Sequence, residues 1–129
     1  MDTELATLRR FYDAFGRRDW VAAGECFTPD AVWHLPGRSQ IGHRYVGWPA
    51  IAGDFFAKLG PLTGGTFKSD LVDVLVGERT VIAYQHATGE REGRTLDMTA
   101  CQVITFRDGL INEVRGHYFD LYEVDAFWA

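Results

Sequence analysis

The chain has 129 residues, 47% hydrophobic and 24% charged, with 18 Asp and Glu against 13 Lys and Arg for a formal charge of −5. That length and composition fit one folded domain over residues 1–129 and leave no place for disorder, a second domain or a stabilising metal. The acidic balance, with no Lys/Arg block, argues against nucleic acid as a partner, because phosphate-backbone binding is driven by clustered positive charge.

No apolar run approaches the ~20 residues that span a bilayer, so no membrane association is expected. The start MDTELATLRR reads as an acidic helix rather than a secretory leader, and a cytoplasmic location is expected. Cys26 and Cys101 are far apart, lack metal-ligand spacing and are expected to be reduced, core-filling thiols. The Phe, Trp and Tyr content of 14% is high for so small a core, and some of these rings are expected to line a cavity.

Leu5, Leu8, Phe11, Tyr12 and Phe15 recur at helical spacing behind a capping Asp2 or Thr3, which predicts an opening amphipathic helix ended by Gly16. Asp19 caps a second helix through Trp20, Ala23 and Phe27, stopped by Thr28-Pro29-Asp30, and a brief strand Ala31 to Leu35 follows. Pro36-Gly37 and Gly42 to Gly47 read as loop. Pro49 suits the first turn of a third helix with an Ile51, Phe55, Leu59 stripe, closed by Gly60-Pro61. From Thr66 onward the period changes to two, and four strands are predicted: Thr66 to Val76, Thr80 to Thr88, Thr95 to Phe106 and Leu110 to Phe119. Asp108-Gly109 is the strongest hairpin signal, since a two-residue primed turn needs positive φ at both positions. Leu121, Val124, Phe127 and Trp128 suggest a short apolar-faced helix at the end. Helices followed by strands give an α+β protein, three N-terminal helices packed on a strongly curved antiparallel sheet.

Counting outward from the Asp108-Gly109 turn pairs Gln102 with Arg115, Ala100 with His117 and Met98 with Phe119, all on one face. A loop of Gly89 to Arg94 adds Gln85 to that face. Tyr84, His86, Asp97, Thr99, Cys101, Val103, Val114 and Tyr118 take the other. The first face is apolar but carries an amide, a guanidinium and an imidazole, a mixture that suits a ligand cavity better than a plain core. The second face, rich in rings and β-branched residues, predicts a homodimer through the outer sheet face, with His86 and Asp97 as cross-strand neighbours. His34 and His43 flank a loop, without the further ligands that zinc requires, so no metal is expected.

The run FTPDAVWHLPG, the segments LTGGTF and GRTLDMTACQVITFRDG and the ending HYFDLYEVDAFW resemble SnoaL-like proteins of the nuclear transport factor 2-like superfamily over nearly the whole chain. The resemblance implies a cone, in which helices cap a curled sheet around a deep apolar pocket used by ketosteroid isomerase, polyketide cyclases and limonene epoxide hydrolase. Their catalytic groups do not carry over. Leu35 stands where ketosteroid isomerase keeps its carboxylate base, and Phe11 and Gln102 stand at its oxyanion-hole tyrosine and acid, with Tyr12 one residue off register. Ala83 and Gln85 replace the arginine and first carboxylate of limonene epoxide hydrolase, and His117 replaces its second carboxylate.

The expected function is a cofactor-independent acid/base enzyme, an isomerase, cyclase or hydrolase, acting on a small apolar carbonyl or polyketide-like metabolite. His117 would exchange the proton, while Gln102 and Arg115 stabilise the developing oxyanion. Phe11, Trp33, Leu35, Gln85, Met98, Ala100 and Phe119 would line the substrate. The alternative is a non-catalytic homodimeric module that holds an apolar metabolite unchanged. Arg115 could instead pair with Glu113 on its own face.

Overall fold

The opening helix forms where the apolar spacing puts it: α1 (Asp2–Gly16) buries Leu8, Phe11, Ala14 and Phe15 on one stripe. The computed structural model describes residues 2–129. In α2 (Trp20–Gly24), Asp19 accepts a hydrogen bond from the Ala22 N–H at 3.0 Å, the expected N-cap. This helix ends before Phe27, because Thr28-Pro29-Asp30 lies inside a strand rather than stopping a helix. That strand, β1 (Phe27–Leu35), leaves its ladder with the neighbouring strand between Phe27 and Val32, and Pro29, which has no N–H to donate, falls in the gap.

The expected loop before Gly47 contains β2 (His43–Val46), a short edge strand with Leu35 opposite His43 and only Tyr45 turned inward. Helix follows in three pieces: α3 (Trp48–Ala50), a π-helical segment (Ile51–Phe56) and α4 (Ala57–Thr63). The wide π turn lets the adjacent rings of Phe55 and Phe56 both enter the core, which α-helical spacing disfavours. Gly60-Pro61 does not close this helix; it runs on to Thr63, where the Gly65 N–H bonds back to the Gly60 carbonyl at 2.8 Å.

The remaining strands are β3 (Lys68–Val76), β4 (Val81–Arg91), β5 (Arg94–Arg107) and β6 (Leu110–Tyr118). Asp108 and Gly109 take φ values of 54° and 80°, the primed turn expected of them. Glu92 and Gly93, at φ 50° and 77°, make a second two-residue turn where a longer loop was expected. That shifts the β4–β5 pairing by two residues, so Gln85 faces Ala100 instead of Met98 but stays on the same side of the sheet. The short final helix is α5 (Leu121–Trp128), capped by Asp120, which accepts from the N–H groups of Tyr122 and Glu123.

The six-stranded sheet runs β2-β1-β6-β5-β4-β3, antiparallel except for the parallel β1–β6 pair. The helices lie against one face and enclose a core rich in aromatic rings. Cys26 is buried in it, where burial pushes its thiol up, and Cys101 is half-buried on the other face; both are free thiols. No described helix is long and apolar enough to cross a membrane.

One departure decides the site. Between Thr105 and Phe106 the β5–β6 register shifts, so Thr105 faces Glu113 while Phe106 faces Ile111, and Asn112 is an extra residue on β6. The Thr28 hydroxyl donates to Asn112 Oδ1 at 3.0 Å and the Ile111 N–H to the Cys26 carbonyl at 2.8 Å, which anchors the bulge to the entry of β1. Beyond it every β6 side chain changes sides. Gly116 now faces Gln102 and Tyr118 faces Ala100, while Arg115 and His117 project from the outer face.

Candidate functional site

Small and large residues alternate across the inner face of the sheet. One row reads Ala83, Gln102, Gly116 and the next Gln85, Ala100, Tyr118, so each long polar side chain stands beside an alanine or glycine. Gly116 is needed for this: a Cβ there would lie 3.1 Å from Gln102 Oε1 and 3.2 Å from Pro36 Cδ. Phe11, Tyr12 and Trp33 approach from α1 and β1, and Phe55, Phe56 and Leu59 close the top. Between them is a void of about 40 Å³. A second void of about 30 Å³ lies toward Leu35, Met98 and Trp128. Phe55, Leu59, Phe67, Gln85 and Tyr118 line both and form the partition. Volumes of this size admit water-sized groups, and a whole organic ring enters only when partition side chains move.

A surface groove of about 500 Å³ between the end of α1 and the start of β3 shares Tyr12, Phe15, Phe67 and Ser69 with the first void. Those residues separate the interior from the surface. Arg18, held at φ 57°, donates from Nη2 to the Phe67 carbonyl at 2.7 Å and fastens the two rims of the groove together.

Inside the first void Tyr12 donates its hydroxyl to Gln85 Oε1 at 2.5 Å. Burial, with a smaller contribution from Tyr118, pushes the Tyr12 phenol above its ordinary range, and burial does the same to Tyr118. Both are neutral phenols at physiological pH. Trp33 Nε1, Ser69 Oγ and Gln102 Oε1 are enclosed without a hydrogen-bond partner among the described residues. Trp33 is 5% and Gln102 2% exposed. Leaving a buried polar atom bare costs about 1–3 kcal/mol, and here three such atoms belong to residues that line one void. No carboxylate, imidazole, thiol or amine lines it among the described residues.

The structure therefore brings together Phe11, Trp33, Gln85 and Gln102 as expected. Leu35 and Met98 line the second void, and Ala100 is buried between Gln85 and Tyr118 without lining either. Three expectations are corrected. His117 is exposed opposite Cys101, with Nδ1 3.2 Å from the Arg115 carbonyl oxygen. Arg115 lies outside and pairs with Glu113 at 3.4 Å. Phe119, 87% exposed beyond the end of β6, is no cavity wall. The Asn112 bulge accounts for the first two, and it likewise turns Val114 and Tyr118 inward from the outer face.

The residues that sequence reasoning missed are Tyr118, Tyr12 and Ser69. Tyr12 was readable from its place one position along the helix stripe, whereas Tyr118 needs knowledge of the bulge. On the outer face the register shift sets His86 opposite Thr99 and Asp97 opposite Thr88, not opposite each other as expected, and the two meet diagonally, with His86 bonding Asp97 at 2.5 Å. His34 Nε2 lies 3.0 Å from Glu113 Oε2, and with Arg115 it holds that carboxyl below its usual range. No group of three or more potential metal ligands occurs among the described residues.

Residues 8–114 match the model of the SnoaL-like domain. An uncharacterized protein of Mycobacterium tuberculosis is 30% identical over 132 residues, covering 99% of this chain and 98% of the relative. Among solved structures, Bal32a from a soil-derived mobile gene cassette is 40% identical with a TM-score of 0.94, over 99% of this chain and 98% of that one. TerC, co-crystallised with polyporic acid, is 19% identical with a TM-score of 0.84 over 97% of each chain. The inward alternation of the sheet, its helical cover and these matches place the chain in the SnoaL-like domain family, with the nuclear transport factor 2-like fold.

Proposed function

We propose that the protein binds a compact, largely apolar organic molecule in this interior and does not itself exchange a proton with it at neutral pH. The observation that carries the reading is a void walled mainly by aromatic rings whose lining residues include Trp33, Ser69 and Gln102, each with an enclosed polar atom that no described group satisfies. A few convergent polar groups in an apolar pocket are how small-molecule sites fix orientation. Of the three expected catalytic residues only Gln102 borders the void, and His117, the one expected to exchange a proton, lies on the outer face. The phenols of Tyr12 and Tyr118 are held in their protonated form by burial, so neither serves as a base. A protein of the same fold, TerC, has been co-crystallised with polyporic acid, and this supports a ligand-holding role for the fold.

An enzyme is the second reading, favoured by Tyr118. Its side chain lines both voids and could donate to a substrate oxygen and polarise a carbonyl, in an isomerase, cyclase or hydrolase acting on a polyketide-like metabolite. The reading also includes a second copy of this chain on the outer sheet face, where Leu75, Ile82 and Val103 lie among charged pairs of both signs, His86–Asp97 and Arg115–Glu113. Sedimentation at micromolar concentration should give a dimer, and a monomer overturns that part.

Native mass spectrometry of protein purified from its own host tests the main reading. A retained organic molecule at one per chain is expected. A bare mass, together with no thermal shift across a panel of small apolar alcohols, phenols and ketones, overturns it. If the retained molecule is converted by the protein, and Tyr118→Phe abolishes conversion while sparing affinity, the enzyme reading replaces the binding one.

A further inference from the structure

We infer that the Phe67 ring is the gate of the interior: swung into the surface groove, it joins the two small voids into one chamber and opens that chamber to solvent. This rests on the preceding reading that the interior is a ligand site, and adds the residue that decides what enters it. Among the described residues Phe67 alone lines both voids and the groove. Its ring centroid sits 6.3 Å from that of Phe15, which lines the groove and the first void, and 5.8 Å from that of Trp128, which lines the second void. One side chain therefore stands where all three spaces meet.

The other walls are held in place. Of the residues shared by the groove and the first void, Tyr12 is bonded to Gln85, Phe15 packs edge-on against Phe11, Trp20 and Phe56, and Ser69 stands in β3. Of those between the two voids, Gln85 and Tyr118 belong to interior strands of the sheet, and Phe55 and Leu59 to its helical cover. Phe67 is half-buried and belongs to no helix or strand. Its backbone is nonetheless fixed. Arg18 Nη2 donates to its carbonyl at 2.7 Å, its own N–H donates to the Thr63 hydroxyl at 3.1 Å, and the preceding Thr66 hydroxyl accepts from the Glu90 N–H at 2.9 Å. What can move is the side chain about its own torsions, and the groove of about 500 Å³ has room for a phenyl ring. The place it vacates lies between voids of about 40 and 30 Å³, so the opened chamber suits a compact aromatic molecule that takes over the ring's contacts with Phe15 and Trp128.

β-Naphthol, a fluorescent aromatic probe that is uncharged at neutral pH, tests the gate against the full chain. Ring-current shifts at the Leu59 and Met98 methyl groups show that it lies inside, and stopped-flow fluorescence reads its association rate. Opening the gate breaks the ring's contacts with Phe15 and Trp128, so Phe67→Ala should speed association about tenfold or more. Leu59 lines both voids but not the groove. Leu59→Ala enlarges the interior without unblocking it, and should change affinity while leaving the association rate within about twofold. Phe67→Leu lacks the ring but keeps apolar bulk; it should speed association about threefold or more, and decides the matter where Phe67→Ala fails to fold. Association within about twofold of wild type in the Phe67 variants overturns the gate and leaves the ligand site standing. An equal acceleration by Leu59→Ala does so too, by showing that general loosening of the core limits entry. Binding by Phe67→Ala alone also overturns it, since the ring would then fill the site rather than guard it. If β-naphthol binds neither the wild type nor any variant up to its solubility limit, the gate and the ligand-site reading fall together.

Discussion

Two phenols share one interior, yet deleting their hydroxyls should have opposite effects. The Tyr12 hydroxyl satisfies Gln85 Oε1 at 2.5 Å, so Tyr12→Phe strips a buried acceptor of its donor. Urea unfolding should show a loss of about 1–3 kcal/mol. Tyr118 makes no such bond, and Tyr118→Phe removes a desolvated hydroxyl; its stability should change by less than about 1 kcal/mol, in the stabilising direction. Gly116 gives a third residue-scale outcome. A methyl group there would crowd Gln102 Oε1 at 3.1 Å and Pro36 Cδ at 3.2 Å, so Gly116→Ala should cost about 1–3 kcal/mol as overpacking does. His117 touches none of these atoms. His117→Ala should leave stability unchanged within about 0.5 kcal/mol in urea unfolding, as surface substitutions do.

At the scale of the element, the Asn112 bulge sets which half of β6 meets the core, and it is held from outside its own hairpin. Thr28 is buried and spends its hydroxyl on Asn112 Oδ1 at 3.0 Å. Thr28→Val keeps the shape and removes the donor, and should cost about 1 kcal/mol in chemical unfolding; an unchanged midpoint would show that the bulge needs no anchor. The same element marks the limit of what the sequence discloses. The α1 stripe, the Asp19 cap and the Asp108-Gly109 turn are local signals in which residue type and backbone demand coincide, and all were legible. Alternation along β4 and β5 put Gln85, Ala100 and Gln102 on the inner face correctly, because the extra residue of the bulge sits on β6 and leaves the alternation of β4 and β5 intact. Arg115 and His117 were misplaced because a single extra residue, stabilised by contacts more than eighty positions away in sequence, inverts everything after it. The π turn at Ile51–Phe56 and the edge strand at His43–Val46 were hidden for a similar reason. Each is imposed by what it packs against rather than by its own composition.

The whole molecule carries its polar interior as uncharged groups, and this gives it an alkaline limit. Tyr12 and Tyr118 both have folded-state pKa values raised above the ordinary 10.0 by burial, and Tyr45 is pushed the same way by burial and by Asp54. Below pH 10 these phenols are protonated in the folded and the unfolded chain alike, and their full stabilising contribution is present. Above it the unfolded chain releases protons that the folded chain retains. The unfolded state then binds fewer protons, and stability falls with rising pH by about 1.4 kcal/mol per pH unit for each such phenol until its folded pKa is passed. Urea midpoints at pH 9, 10 and 11 should therefore fall throughout and more steeply between the last two, because the unfolded phenols are half ionised at pH 10 and the Cys26 thiol, also raised by burial, adds a loss that begins below it. Tyr118→Phe removes one titrating group without removing a bonded partner. Its stability should fall less steeply above pH 10 than that of the wild type, by about 1.4 kcal/mol per pH unit. Equal slopes in the two proteins would mean that Tyr118 ionises in the folded state as readily as in water, and hence that the interior opens to solvent without global unfolding.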